Sequence, residues 1–213
     1  MSNKIERPLD DHYITPPEVV RALLSVEPFM HSKIWEPCAG TGELAETLRS
    51  EGRNVYASTI QSKEFYNKEL PDVDCGVDFL KQTRMLDNCK TIITNPPYGR
   101  LYGKKDKLAV EKIIRHAVSL RFYKMAMLLP MSFLGGIARK EGLFKELPPS
   151  SFYQFSNRIK MYPAGIDVTG KNTPLNYYGW FVWQAGEMWK ERKPEFAGWL
   201  NSNEFKEHIV KRN

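Results

Sequence analysis

Short apolar runs alternate with amphipathic stretches along most of this chain. Residues 33–36 and 53–60 read as strands, and Thr91-Ile92-Ile93-Thr94 and residues 123–129 are too short for helices and too uniformly apolar for strands with a wet face. They predict strands buried on both sides, as in a parallel sheet. The stretches between them repeat at helical spacing. Val19, Val20, Leu23 and Leu24 make one stripe, a helix follows Gly42 through Leu48, and Val110, Ile113, Ile114, Ala117 and Val118 make a third. Strands alternating with helices predict an α/β sheet covered on both faces. Residues 72–80 add a short strand ending in Asp78-Phe79-Leu80. From Phe152 onward the pattern changes: residues 152–155, 158–163 and 177–183 read as strands joined by a glycine-rich connection, with Trp180 and Trp183 as core residues. Residues 194–213 predict a terminal amphipathic helix, and residues 1–12 a polar, flexible arm.

Two of the strands end in turns that carry chemistry. Thr91-Ile92-Ile93-Thr94 runs into Asn95-Pro96-Pro97-Tyr98-Gly99, where two prolines stop the ladder and predict a rigid, exposed turn. Asn95 and the Pro96 carbonyl can accept hydrogen bonds from an exocyclic amine while Tyr98 stacks on the ring that bears it, which fits adenine or cytosine. A proline turn with a packed tyrosine would give the same four letters. The second turn is Glu36-Pro37-Cys38-Ala39-Gly40-Thr41-Gly42, in which glycines let the backbone approach a ligand and the following helix offers free N–H groups. Glu36, at the strand end, suits a cationic ligand. Both turns fall at strand C-termini, the ligand-binding edge of open α/β sheets, so they should face one another.

Taken in order, the segment Tyr13-Ile14-Thr15-Pro16-Pro17, the loop Glu36-Pro37-Cys38-Ala39-Gly40-Thr41-Gly42 and the turn Asn95-Pro96-Pro97-Tyr98 resemble the amino-group DNA methyltransferases, which modify adenine N6 or cytosine N4 with S-adenosylmethionine. The resemblance implies a Rossmann-like class I fold with a mostly parallel seven-stranded sheet and an antiparallel last strand. It implies a single catalytic domain over residues 13–213, with no separate target-recognition domain and weak sequence specificity, as in small phage-like enzymes. Tyr13, Thr15 and Pro16 would line the methionine end of the cofactor, and Glu36 would meet its ammonium beside Pro37, Cys38, Gly40 and Gly42. Asp78 would accept from the cofactor adenine with Phe79 packed alongside, although a helix N-cap explains Asp78 equally well. Thr15 can also cap the helix that follows it.

Asn95, Pro96, Pro97 and Tyr98 would carry catalysis, on adenine in preference to cytosine. One position departs from the family pattern: Thr59 stands where an acid usually binds the ribose hydroxyls. A neighbour such as Gln61 or Glu64 takes over, cofactor affinity is lower, or activity is lost. Cys38 lies in the glycine turn, unlike the Pro-Cys nucleophile of cytosine C5 enzymes, and reads as a small packed side chain. RNA adenine, DNA cytosine N4, a protein glutamine amide, or binding without catalysis remain alternatives.

Composition narrows the picture only a little. The 213 residues are 42% hydrophobic and 26% charged, as in one globular domain, and the net charge of +6 is compatible with a polyanionic partner such as double-stranded DNA. Arg100, Lys104 and Lys105 beside the proline turn, with Arg139 and Lys140, are candidate phosphate contacts. No apolar run approaches the ~18 residues of a membrane span and no apolar leader opens the chain, so a cytoplasmic location is expected. Three scattered cysteines imply neither disulfides nor a metal. Oligomeric state is left open.

Overall fold

The computed structural model describes residues 13–29, 33–66, 70, 72–163, 176–185 and 193–206. The expected arm at 1–12, most of the glycine-rich connection and the end of the expected terminal helix lie outside them. In chain order the elements are β1 (Tyr13–Ile14), α1 (Pro17–Val26), β2 (Ile34–Glu36), α2 (Glu43–Ser50), β3 (Val55–Thr59), α3 (Lys63–Tyr66), β4 (Asp74–Cys75) and β5 (Thr91–Thr94). A small hairpin follows, β6 (Arg100–Leu101) and β7 (Lys104–Lys105), then α4 (Ala109–Ser119), β8 (Lys124–Pro130), α5 (Ile137–Glu141) and α6 (Leu143–Glu146). The chain closes with β9 (Ser151–Phe155), β10 (Tyr162–Pro163), β11 (Tyr178–Gln184) and β12 (Glu195–Leu200).

The main sheet has eight strands in the order β12-β9-β11-β8-β5-β2-β3-β4. Its pairings are parallel except around β11, which runs antiparallel to both β8 and β9. The mostly parallel sheet with an antiparallel strand is as the sequence implies, but that strand is β11, and the last one, β12, runs parallel to its neighbour β9. The eighth strand is the addition. It is β12, and it lies where residues 194–213 predict a helix. Phe196, Gly198 and Trp199 are poor helix formers, and a parallel ladder on β9, with a register shift between Phe196 and Gly198, satisfies the backbone instead. The strand expected over 158–163 shrinks to β10, which pairs with β1 outside the main sheet.

Burial on both faces explains the apolar runs. In β11, Trp180 and Val182 point into the layer beneath α1 and α2 with Val19, Leu23, Leu44 and Leu48, while Phe181 and Trp183 point into the layer beneath α4 with Ile113, Ile114 and Phe133. Both tryptophans are fully buried. Each indole N–H finds a backbone carbonyl, Val19 for Trp180 at 3.0 Å and Leu147 for Trp183 at 3.2 Å. The start of α1 corrects one expectation. Its N-cap is Pro16 with Pro17 at the first helical position, and no side chain caps it. Thr15 is turned elsewhere.

Candidate active site

The C-terminal ends of β2, β3 and β5 open onto a cleft lined by Glu36 and Thr59 at two of the strand ends and by Asn95 just past the third. The loop after β2 forms its floor. Gly40 and Gly42 take left-handed φ angles of 57° and 95°, and the Gly42 N–H closes a turn on the Ala39 carbonyl at 2.8 Å. A Cβ at Gly42 would also lie 3.0 Å from Val73 Cγ2. The turn therefore demands glycine both for its backbone angle and for its space.

Glu36 ends β2 inside the cleft wall. It is 2% exposed and its Oε2 has no hydrogen-bond partner. Burial, with Glu43 adding to it, pushes its carboxyl up to about 8, against the opposing effects of the Ala45 backbone and Arg49. A buried carboxylate with an unpartnered oxygen in a cleft is a site for a cation. Cys38 lines the same wall, and burial pushes its thiol up to about 12. It remains protonated, so it is a packed side chain rather than a nucleophile.

Across the cleft, Asn95 follows β5. Its Nδ2 donates to Thr15 Oγ1 at 3.0 Å, which fixes the amide and turns Oδ1 the other way. The Tyr98 hydroxyl donates to that Oδ1 and also reaches the Leu128 carbonyl at 3.1 Å. The expected exposed turn is therefore half buried. Pro96 is buried, and the Tyr98 ring packs toward Tyr178 at 6.0 Å between centroids. A phenol hydroxyl with two acceptors below the turn draws the ring inward. Asn95 and Pro97 line the cleft, together with Tyr13 and Thr15.

The far end of the cleft holds Asp78 and Phe79. Asp78 caps the 3₁₀ turn Phe79–Lys81, accepting from the Leu80 N–H at 3.0 Å, and still lines the cleft. The N-cap reading of this residue is thus borne out, on a side chain that also borders the cleft. Phe79 is set by an edge-on contact with Trp35 at 5.1 Å, and the Trp35 indole is anchored on Ser58 at 2.9 Å. Thr59 is buried and shares a hydrogen bond with the Tyr66 hydroxyl at 3.0 Å. Phe65, Tyr66 and Gln61 line the cleft beside it, whereas Glu64 is exposed on α3.

Tyr66 and Phe65 were not foreseeable from any motif, because a four-residue helix leaves no periodic signal. Tyr102 was also missed. At the tip of the β6–β7 hairpin, with a left-handed φ of 53°, its hydroxyl reaches across to Asp78 at 3.1 Å. Of the basic candidates, Arg100 lines the cleft and donates to the Gly103 carbonyl at 3.3 Å, while Lys104 and Lys105 are exposed on the hairpin. Arg139 stacks on Phe133 at 4.4 Å and donates to the carbonyls of Phe133 and Gly135, and Lys140 pairs with Glu141 at 3.0 Å. Among the described residues no His, Cys, Asp and Glu cluster could hold a metal ion, and no helix is long and apolar enough to cross a membrane.

No protein-family model matches this sequence, and no curated protein matches it. Solved structures share its fold. A putative RNA methyltransferase from Pyrococcus horikoshii is 14% identical with a TM-score of 0.62, over 88% of this chain and 93% of that one. The methyltransferase subunit of a type I restriction-modification system from Streptococcus thermophilus is 15% identical with a TM-score of 0.53, over 83% of this chain and 46% of that one. A modification subunit of a putative type I restriction enzyme from Vibrio vulnificus is also 15% identical, with a TM-score of 0.51, over 86% and 45%. The chain thus spans about half the length of the type I subunits it matches. At these identities the likeness is one of fold, and that fold is the Rossmann-like α/β architecture of methyltransferases.

Proposed function

We propose that this protein transfers a methyl group from S-adenosylmethionine to the exocyclic N6 of adenine in DNA. One observation carries the reading: the Glu36 carboxyl, with its Oε2 unpartnered, and the Thr15-oriented Asn95 amide wall the same cleft. A cation held at Glu36 and an amine held at Asn95 would then meet within it. The donor set fits the cofactor, with Glu36 for the methionyl ammonium, the glycine turn for close backbone approach, Phe79 against the adenine and Asp78 as acceptor for its amino group. At the ribose, Thr59, Tyr66 and Gln61 offer neutral hydroxyl and amide groups in place of a carboxylate.

When bound, the cofactor supplies an electrophilic methyl group. Asn95 Oδ1 and the Pro96 carbonyl would accept hydrogen bonds from the two N–H groups of the target amine, drawing its lone pair out of conjugation and stabilising charge that develops only in the transition state, while the N–C bond forms as the S–C bond breaks and one N–H proton is lost to solvent. Asn95 Oδ1 has two lone pairs, so the Tyr98 hydroxyl occupies one and leaves the other for the amine. Thr15 holds the amide against flipping, and positioning supplies much of the remaining rate. The target base leaves the duplex to reach the turn, and Tyr98 would stack on it only after its ring turns out from Tyr178 and its hydroxyl leaves the Leu128 carbonyl.

Methyl transfer from labelled cofactor to unmethylated duplex DNA, to RNA and to protein, followed by nucleoside analysis, tests this. The expected product is N6-methyladenine from DNA, lost by ~10²-fold or more in Asn95→Ala, the scale of removing one transition-state hydrogen-bonding group. Transfer to none of the substrates overturns the reading. Transfer to RNA alone would favour an RNA methyltransferase, the activity suggested for the Pyrococcus protein that this chain matches nearly end to end in fold.

A further inference from the structure

The segment over residues 13–17 has two sides. Tyr13 and Thr15 face the cleft described above, while Ile14 and Pro16 face a second groove, as the two-residue period of extended chain requires, and Pro17, the first residue of α1, also lines it. The opposite walls of that groove come from the residues after β9 and after β12. Because β9 and β12 run in the same direction as β5 and β8, these residues emerge at the edge of the sheet that carries Asn95.

Three exposed cations converge there, Arg158, Lys160 and Lys206, against a single carboxylate, Glu18. Among the described residues none of the three forms an ion pair. The walls are braced: Asn157 Nδ2 donates to Ser202 Oγ at 2.8 Å, and its Oδ1 accepts from the Ser202 N–H at 3.0 Å. Arg158 also lies over the half-exposed Tyr177 ring at 5.5 Å. The groove is thus preformed, cationic and separated from Asn95 by one strap of chain, since Thr15, which bonds Asn95, adjoins Pro16 about 4 Å along the backbone.

We propose that this groove binds the phosphodiester backbone of the DNA strand that flanks the target base. The inference rests on the nucleic-acid reading above and states where the strand lies. Like charges gathered without partners repel one another, and a polyanion threading between them relieves that repulsion while releasing its own counterions. The neutral wall of Ile14, Pro16 and Pro17 makes no base-reading contact, so the groove contributes affinity and register rather than sequence preference. Its cations sit on loops that neither the glycine turn nor the proline turn supplies.

The test compares wild type with Arg158→Gln/Lys160→Gln/Lys206→Gln and with Lys160→Gln alone. Affinity for a short unmethylated duplex is measured by fluorescence anisotropy between about 50 and 200 mM salt, with S-adenosylmethionine binding followed by calorimetry as the check on folding. Each lost phosphate contact lowers the slope of log K against log salt by about 0.9, so the triple variant should lose between two and three and the single variant about one. Duplex affinity should fall at least tenfold at low salt while cofactor binding is unchanged. An unchanged slope and affinity with intact cofactor binding would overturn the proposal. So would a loss seen with RNA of the same sequence and not with DNA. Salt-dependent DNA binding that weakens as expected, in a protein that transfers no methyl group, would uphold the groove and discard the methylation reading alone.

Discussion

Glu36 carries a cost in stability that depends on pH. Its carboxyl sits at about 8 in the folded protein against an ordinary 4.5, because burial disfavours the charge. The ligand-free protein therefore holds the associated stability in full below pH 4.5 and loses it as pH rises through about 8. Glu36→Gln removes the loss, so the variant and wild type should melt together at pH 4, with the variant melting higher at pH 9 by an amount worth a few kcal/mol. The same change should weaken S-adenosylmethionine binding at least tenfold at pH 7.5. In wild type, cofactor uptake near pH 7 should release a proton, measurable by calorimetry in buffers of different ionisation enthalpy. Coincident melting at pH 9 would show that the buried carboxylate carries no such burden.

At the level of elements, β11 is the strand the rest of the C-terminal half leans on. Gly179 lies within it, where a Cβ would sit 2.5 Å from the Tyr153 carbonyl oxygen and 2.6 Å from Met131 Sδ. The methionine can swing aside, but the neighbouring strand's backbone cannot. Gly179→Ala should therefore cost about 1–3 kcal/mol, a fall of roughly 3–10 °C in melting temperature, and adding Met131→Ala should not restore it. Thermal melts of the single and double variants decide the point, and full rescue by the second substitution would place the clash on the side chain instead. The β11 apolar run was legible as a buried strand. Its glycine was not legible as obligatory, since only the pairing with β9 brings the Tyr153 carbonyl against it.

Across the whole molecule, one buried ion pair pins the edge of the sheet opposite the cleft. Lys124, at the start of β8, meets Glu27 just past α1 at 2.6 Å, and the Tyr153 hydroxyl of β9 donates to the other Glu27 oxygen at 2.9 Å. Three elements distant in sequence thus share one polar knot, which also pushes the Tyr153 hydroxyl up in pKa through burial and then through Glu27. Lys124→Met strands the carboxylate and should cost about 3–5 kcal/mol. Lys124→Met/Glu27→Leu should recover most of that stability. Denaturant titrations of the two variants check this, with cofactor binding unchanged at low temperature because the pair lies away from Asn95. Equal stability of the single variant and wild type would show that the knot is solvated.

The sequence by itself determined the architecture and the location of the cleft. Apolar runs buried on two faces require covered parallel strands, and glycine and proline at their ends mark the turns at Gly40 and Asn95, because those residues state backbone constraints that hold in any context. Tertiary structure alone decided the rest. Residues 195–200 became a strand because β9 offered an unpaired edge, and Tyr98 turned inward because Leu128 and Asn95 offered it acceptors. Thr15 left the helix cap because the Asn95 amide, eighty positions away, was the nearer partner. Arg158, Lys160 and Lys206 carry no motif, and only strand direction and sheet order bring them to one groove. Each of these outcomes depends on a partner far along the chain, and a local pattern of residues carries no record of it.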